Sequence, residues 1–175
     1  MSIRKFNNIS PSLHETSYID EDAAIIGDVT IGEDSSVWPM CAIRGDVQKI
    51  TVGKRTNIQD GSVVHVTADN QFNPGGFETR IGDDVTIGHG AIIHACTIGN
   101  FSLIGMGATV LDGAVVEDEV MVAAGSLVPP GKILETGYLW MGSPVKKARE
   151  LTDKEKEYLH FSSQHYVNLK NKYLA

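Results

Sequence analysis

An aliphatic residue returns every six positions through most of this chain. Ile19, Ile25, Ile31, Val37 and Ile43 run without a slip. After an insertion of three residues the series resumes at Val52, Ile58 and Val64, and after an excursion over residues 66–80 it returns at Ile81, Ile87 and Ile93. One residue is then dropped, and Ile98, Ile104, Val110, Val116, Val122 and Val128 follow before Pro129-Pro130-Gly131. Helices repeat at about 3.6 residues and strands at about 2, so a period of six belongs to neither alone. It is the period of a solenoid with three short flat sides per turn. No side is long enough to bury its own apolar face, so such a coil is stable only through stacking on its neighbours. With 18 glycines and only 7% aromatics, the composition suits tight turns in register better than a layered core.

The 175 residues read as a single domain. Residues 1–17 form an N-terminal arm with a loop at Ser10-Pro11, residues 18–130 the coil, and residues 131–150 an irregular connecting loop with a turn at Gly142-Ser143-Pro144. A C-terminal helix is expected over residues 151–173, opened by the capping box Thr152-Asp153-Lys154-Glu155. Tyr158, Phe161, His165, Leu169 and Tyr173 recur at three or four and predict the face that packs on the coil. A net charge of −7 argues against nucleic acid and anionic membrane as partners. The first residues carry no apolar signal-peptide core, and no later stretch is apolar and long enough to span a bilayer. Cys41 and Cys96 both fall inside the repeat and read as reduced thiols of a cytoplasmic protein.

Three histidines interrupt the repeat. His65 follows Val64 and His94 follows Ile93, so they hold the same offset on the same side of successive coils. Stacked coils lie about 4.8 Å apart, a spacing at which two imidazoles can share a cation with nitrogen–metal distances of about 2.0–2.1 Å. His89 sits on another side of the triangle, five residues from His94, and does not reach the ion held by its own chain. A neighbouring copy supplies it if three coils pack about a threefold axis, which predicts a homotrimer with three interfacial metal sites. One such histidine alone would be an ordinary turn or surface residue; three at stacking positions argue for metal. His14, His160 and His165 lack a partner pattern and are read as structural or surface residues. A helical zinc site is excluded, since a step of five does not return to one helix face.

Polar residues cluster around these positions: Arg44-Gly45-Asp46 after Ile43, and Asn57, Gln59 and Asp60 around Ile58. An amide such as Gln59 can hold and orient a hydroxide, and Arg44 can receive an anionic product while pairing with Asp46 or Asp60. The same charges also read as interface ion pairs with no chemical role.

With Arg44-Gly45-Asp46, Asn57-Ile58-Gln59-Asp60, His65, Ile87-Gly88-His89 and His94 together, the chain resembles the gamma-class carbonic anhydrase family, above all its short, ferripyochelin-binding-protein-like bacterial branch. The resemblance covers nearly the whole chain. It implies an all-β, left-handed parallel β-helix with a C-terminal α-helix. It implies zinc, or cobalt or iron, on His65 and His94 with His89 from the adjacent subunit of a trimer. The implied activity is that of a lyase: reversible hydration of carbon dioxide to bicarbonate by a metal-bound hydroxide. By the same motif Gln59 would orient the water, Asn57 would orient Gln59, and Arg44 would lie beside bicarbonate and pair across the interface. Tyr166 and Asn168 stand where that family's active members bring a tyrosine and an asparagine from the terminal helix to the site. Val47 replaces a glutamate used there to carry protons out, and the 66–80 loop offers only Asp69 and Glu78, which argues against rapid turnover. Two alternatives stay open: an acyltransferase or acyl-CoA thioesterase on the same coil, and a catalytically weak, metal-stabilised trimeric scaffold.

Overall fold

The aliphatic series becomes three columns of inward-pointing side chains. Ile19, Val37, Ile58, Ile87, Ile104, Val122 and Trp140 stack in parallel register along one side. Ile25, Ile43, Val64, Ile93, Val110 and Val128 line the second. Leu13, Ile31, Val52, Ile81, Ile98, Val116 and Leu134 line the third. The computed structural model describes residues 2–175, which wind into a parallel β-solenoid of about eight turns followed by one helix. Almost every column residue is fully buried, each contributing about 1.5–3 kcal/mol relative to an exposed position.

The corners repeat as regularly as the sides. Asp34, Arg55, Asp84, Phe101, Glu119 and Gly137 form one file with positive φ, and Met40, Gly61, Gly90, Gly107 and Gly125 another. A single left-handed residue at each corner swings the chain from one flat side to the next. Two residues before the first file, Gly32, Gly53, Gly82 and Gly99 serve a different purpose. A Cβ placed on Gly53 would stand 2.6 Å from the backbone of Gly82, so these glycines let one coil settle directly on another.

The coil is longer than the predicted 18–130. Leu13 pairs with Ile31, and Ser2–Arg4 lies along Ala24–Ile26; the expected arm is thus partly rung. At the other end the expected connecting loop is mostly strand. Ile133–Leu134 and Tyr138–Gly142 continue the coil, and Tyr138–Gly142 turns back on Val145–Glu150 as an antiparallel hairpin. Pro129-Pro130-Gly131 is another corner, with Gly131 at φ +66°. It tolerates prolines because Leu127–Val128 is the last rung on its side, leaving no coil above to receive their missing N–H groups.

The helix α1 spans Asp153–Leu174 and starts with the expected capping box: Thr152 accepts from the Glu155 amide, and Glu155 accepts in return from the Thr152 amide. Its packing face differs from the aromatic stripe predicted. Leu159, Ser162, Ser163, Val167 and Lys170 are buried, while Tyr158, Phe161 and Tyr173 are at least half exposed. The wall beneath is polar. Ser162 bonds the Thr86 hydroxyl at 2.9 Å, Ser163 donates to Asp84 at 3.2 Å, and the Lys170 ammonium reaches Asp34 at 2.9 Å. No helix among the described residues is long and apolar enough to cross a membrane. Cys41 and Cys96 are free and buried, and burial pushes their thiols up to about 11 and about 12.

Candidate metal centre

His65 and His94 each end a three-residue strand, Val63–His65 and Ile92–His94, and the ladder sets them side by side on successive coils. Their ring centroids are 5.2 Å apart. The 66–80 excursion does not disturb this stacking. Its neck is closed by backbone pairing of Thr67 with Phe77, and on its return the Thr79 hydroxyl donates to the His65 carbonyl.

Both outer nitrogens are taken by carboxylates. His65 Nε2 lies 3.0 Å from Asp46 Oδ1, and His94 Nδ1 lies 2.6 Å from Asp112 Oδ1. With a proton on each of these, the inner nitrogens, His65 Nδ1 and His94 Nε2, present lone pairs to one another at 3.2 Å. Such a pair is held together by a shared proton or by a cation. Zinc–nitrogen bonds of about 2.0–2.1 Å in a tetrahedron put two donors about 3.3–3.4 Å apart, so the donor set fits a metal with little movement.

His89 is on the corner after Thr86–Ile87, on the side that carries the helix. It is half exposed, and its Nδ1 lies 2.8 Å from Asp60 Oδ2. Among the described residues, no group of three or more His, Cys, Asp or Glu side chains surrounds one point in the chain. Two candidate ligands are together and the third faces outward elsewhere.

The remaining predicted residues separate. Arg44 and Asp46 point the same way from the strand Ala42–Val52 and pair with each other, while Asp60 serves His89 instead. Burial works against ionisation of Asp46, but its bonds from His65 and Arg44 outweigh it and hold the carboxyl below its ordinary value. Gln59 is buried and donates to Asn57 Oδ1 at 3.0 Å; Asn57 in turn donates to the Thr86 hydroxyl at 3.0 Å. Gln59, His89, Leu103, Met106, Tyr158 and Tyr166 border a cleft of about 480 Å³ between coil and helix. Burial, and then the charge of Asp60, raise the Tyr166 phenol. Asn168 does not join it: two residues along a helix is more than half a turn, and Asn168 lies on the exposed face, 3.4 Å from Gln164. Asp69 and Glu78 are occupied locally, by the Gly75 amide and by Arg80.

Asp112 was not legible as part of the site. It lies two residues past Val110, whereas His94 is one past Ile93, so it falls one position out of register with the ring it holds. The available signal was an acidic corner residue one coil above a candidate ligand.

A three-sided parallel coil with a histidine pair bridging two rungs defines a hexapeptide-repeat protein with a candidate metal centre. The comparisons agree with that class. The bacterial transferase hexapeptide (six repeats) family matches residues 78–110. The chain is 50% identical to Protein YrdA of Escherichia coli (strain K12) over 98% of its own length and 94% of that protein. It is 48% identical to gamma carbonic anhydrase 2, mitochondrial, of Arabidopsis thaliana over 91% of its own length and 57% of the relative. It is also similar to the crystal structure of a hexapeptide transferase family protein from Anaplasma phagocytophilum, with a TM-score of 0.91, 45% identity and 98% of each chain covered. The chain belongs to the gamma-carbonic-anhydrase-like family of hexapeptide-repeat proteins.

Proposed function

We propose that this chain forms a homotrimer and catalyses the reversible hydration of carbon dioxide to bicarbonate at a divalent metal shared between subunits. The observation that carries this reading is the pair of inward lone pairs on His65 and His94, 3.2 Å apart with both outer nitrogens on carboxylates. His65 Nδ1, His94 Nε2 and Nε2 of His89 from a neighbouring copy would hold the metal. The exposure of His89, with Asp60 orienting its ring, suits a ligand lent across an interface. Zinc, when bound, supplies the Lewis acidity that makes hydroxide available from water near pH 7, and cobalt(II) or iron(II) suits the same three donors.

The chain's own residues do the rest. Gln59 is clamped through its Nε2 by Asn57, which leaves its Oε1 to accept a hydrogen bond from the attacking oxygen and so orient it. Arg44 offers a guanidinium to the bicarbonate product, held in place by Asp46. Tyr166 and Leu103 give the cleft an apolar wall suited to carbon dioxide. Two buried free thiols fit a reducing, cytoplasmic setting. Stopped-flow hydration on chelated and zinc-restored protein tests the reading; hydration that is indifferent to chelation overturns it.

A second reading has one observation in its favour. The cleft of about 480 Å³ is far larger than carbon dioxide needs and is lined by Leu103, Met106, Met121 and Leu139, as an acyl thioester would require. Saturable binding of an acyl-CoA, competed by nothing that binds the metal, would favour it.

A further inference from the structure

We infer that Asp112 and Thr67 are positioning residues for the metal centre, fixing which nitrogen of His94 is free and tying that choice to the neck of the 66–80 loop. The inference rests on the metal reading above. Asp112 uses its two oxygens on different partners: Oδ1 faces His94 Nδ1 at 2.6 Å, and Oδ2 accepts from the Thr67 hydroxyl. An ionised carboxylate only accepts, so the proton in this contact belongs to His94 Nδ1, and Nε2 is left with its lone pair toward His65. A metal-ligating imidazole needs that second bond to set its tautomer and ring plane.

The corner is shaped to deliver Asp112 to this place. Gly113, at φ +67°, follows it, and the Gly113 amide donates to the Ala95 carbonyl at 2.7 Å, drawing the corner down onto the residue after His94. Thr67 comes from the other direction. Its backbone pairs with Phe77 at the loop neck while its hydroxyl holds Asp112. The run Thr67–Asp112–His94–His65–Asp46–Arg44 is therefore continuous. It spans four coils and joins the loop neck to the anion-facing arginine. A purely structural role would not select this arrangement, since Asp112 is about one-third exposed and water is at hand to solvate it.

The test uses Asp112→Ala, Thr67→Val and the conservative Thr67→Ser in the full chain. Ring ¹⁵N shifts of His94 in metal-free protein are expected to show Nδ1–H in the wild type and a move toward Nε2–H in Asp112→Ala. Zinc affinity, measured by chelator competition, should fall about 10- to 100-fold in Asp112→Ala, fall less in Thr67→Val, and return in Thr67→Ser. Unfolding curves identify any variant that has lost the coil; should Asp112→Ala do so, Thr67→Val carries the decision. A His94 tautomer and a zinc affinity unchanged in both loss variants overturn the inference. A wild type that takes up no zinc overturns the metal reading instead, while the ring shifts still decide what Asp112 does.

Discussion

His65 Nδ1 and His94 Nε2 face each other at 3.2 Å across the seam between two coils, on residues 29 apart in sequence. Both come from strand ends fixed by the ladder, so neither needs to move far to take a metal. Replacing either with alanine should remove zinc from the purified protein and lower hydration by roughly 100-fold or more, with the circular dichroism of the coil retained. Metal analysis and stopped-flow assay on one preparation check it.

The outward-facing His89 makes a sharper prediction. His89→Ala and His65→Ala chains, each inactive alone, should regain activity when refolded together, because some interfaces then pair an intact His65–His94 edge with an intact His89. Random mixing of equal amounts in a closed trimer restores about a quarter of the sites. Recovery absent from the mixture would mean that all three ligands act within one chain.

Gln59 is held by Asn57 through one end of its amide. Gln59→Ala should leave zinc content unchanged and lower the hydration rate roughly tenfold to a hundredfold. Zinc loss in this variant would instead make Gln59 part of the ligand support.

Two glycines separate stacking from turning. Gly53→Ala would drive a Cβ to 2.6 Å from the Gly82 backbone and should cost about 1–3 kcal/mol or more. Gly61→Ala meets nothing within 4 Å but keeps φ at +70°, so its cost should stay near the roughly 1 kcal/mol of a left-handed alanine. Chemical denaturation of the two variants gives the comparison.

The helix cap predicts an acid response. Arg149, and then the Thr152 amide, hold Glu155 at about 2, down from an ordinary 4.5. A depressed carboxylate adds stability that is complete above its ordinary value and is lost as pH falls through the folded-state value. The stability gap between wild type and Glu155→Gln should therefore be widest above about 4.5 and close toward about 2. Thr152→Ala removes the other half of the cap and should cost about 1 kcal/mol.

The six-residue period carried the coil and the stacking of His65 on His94, because inward positions repeat with the geometry of the side. The ends were harder to see. Leu13, Leu134 and Trp140 keep the period, but Ser10-Pro11 and Pro129-Pro130-Gly131 resemble stops, and whether a proline ends a coil depends on whether another rung lies above it. The packing face of the helix was misread for a different reason. Apolar periodicity favours Tyr158 and Phe161, whereas the wall offers Thr86 and Asp84, so Ser162 and Ser163 turn inward to bond them. Asp112 escaped because its contact with His94 depends on a corner that shifts the register by one.

The 66–80 excursion is pinched shut at Thr67 and Phe77 and re-enters the coil at Thr79 without changing which residues stack. Its tip meets the coil where Gln48 donates to the Gly75 carbonyl at 2.9 Å. Doubling such a tip costs only about 0.6 kcal/mol of closure entropy. The border of the candidate metal centre can thus be rebuilt, by descent or by design, through changes between the pinch residues, with the load-carrying spiral left uncut.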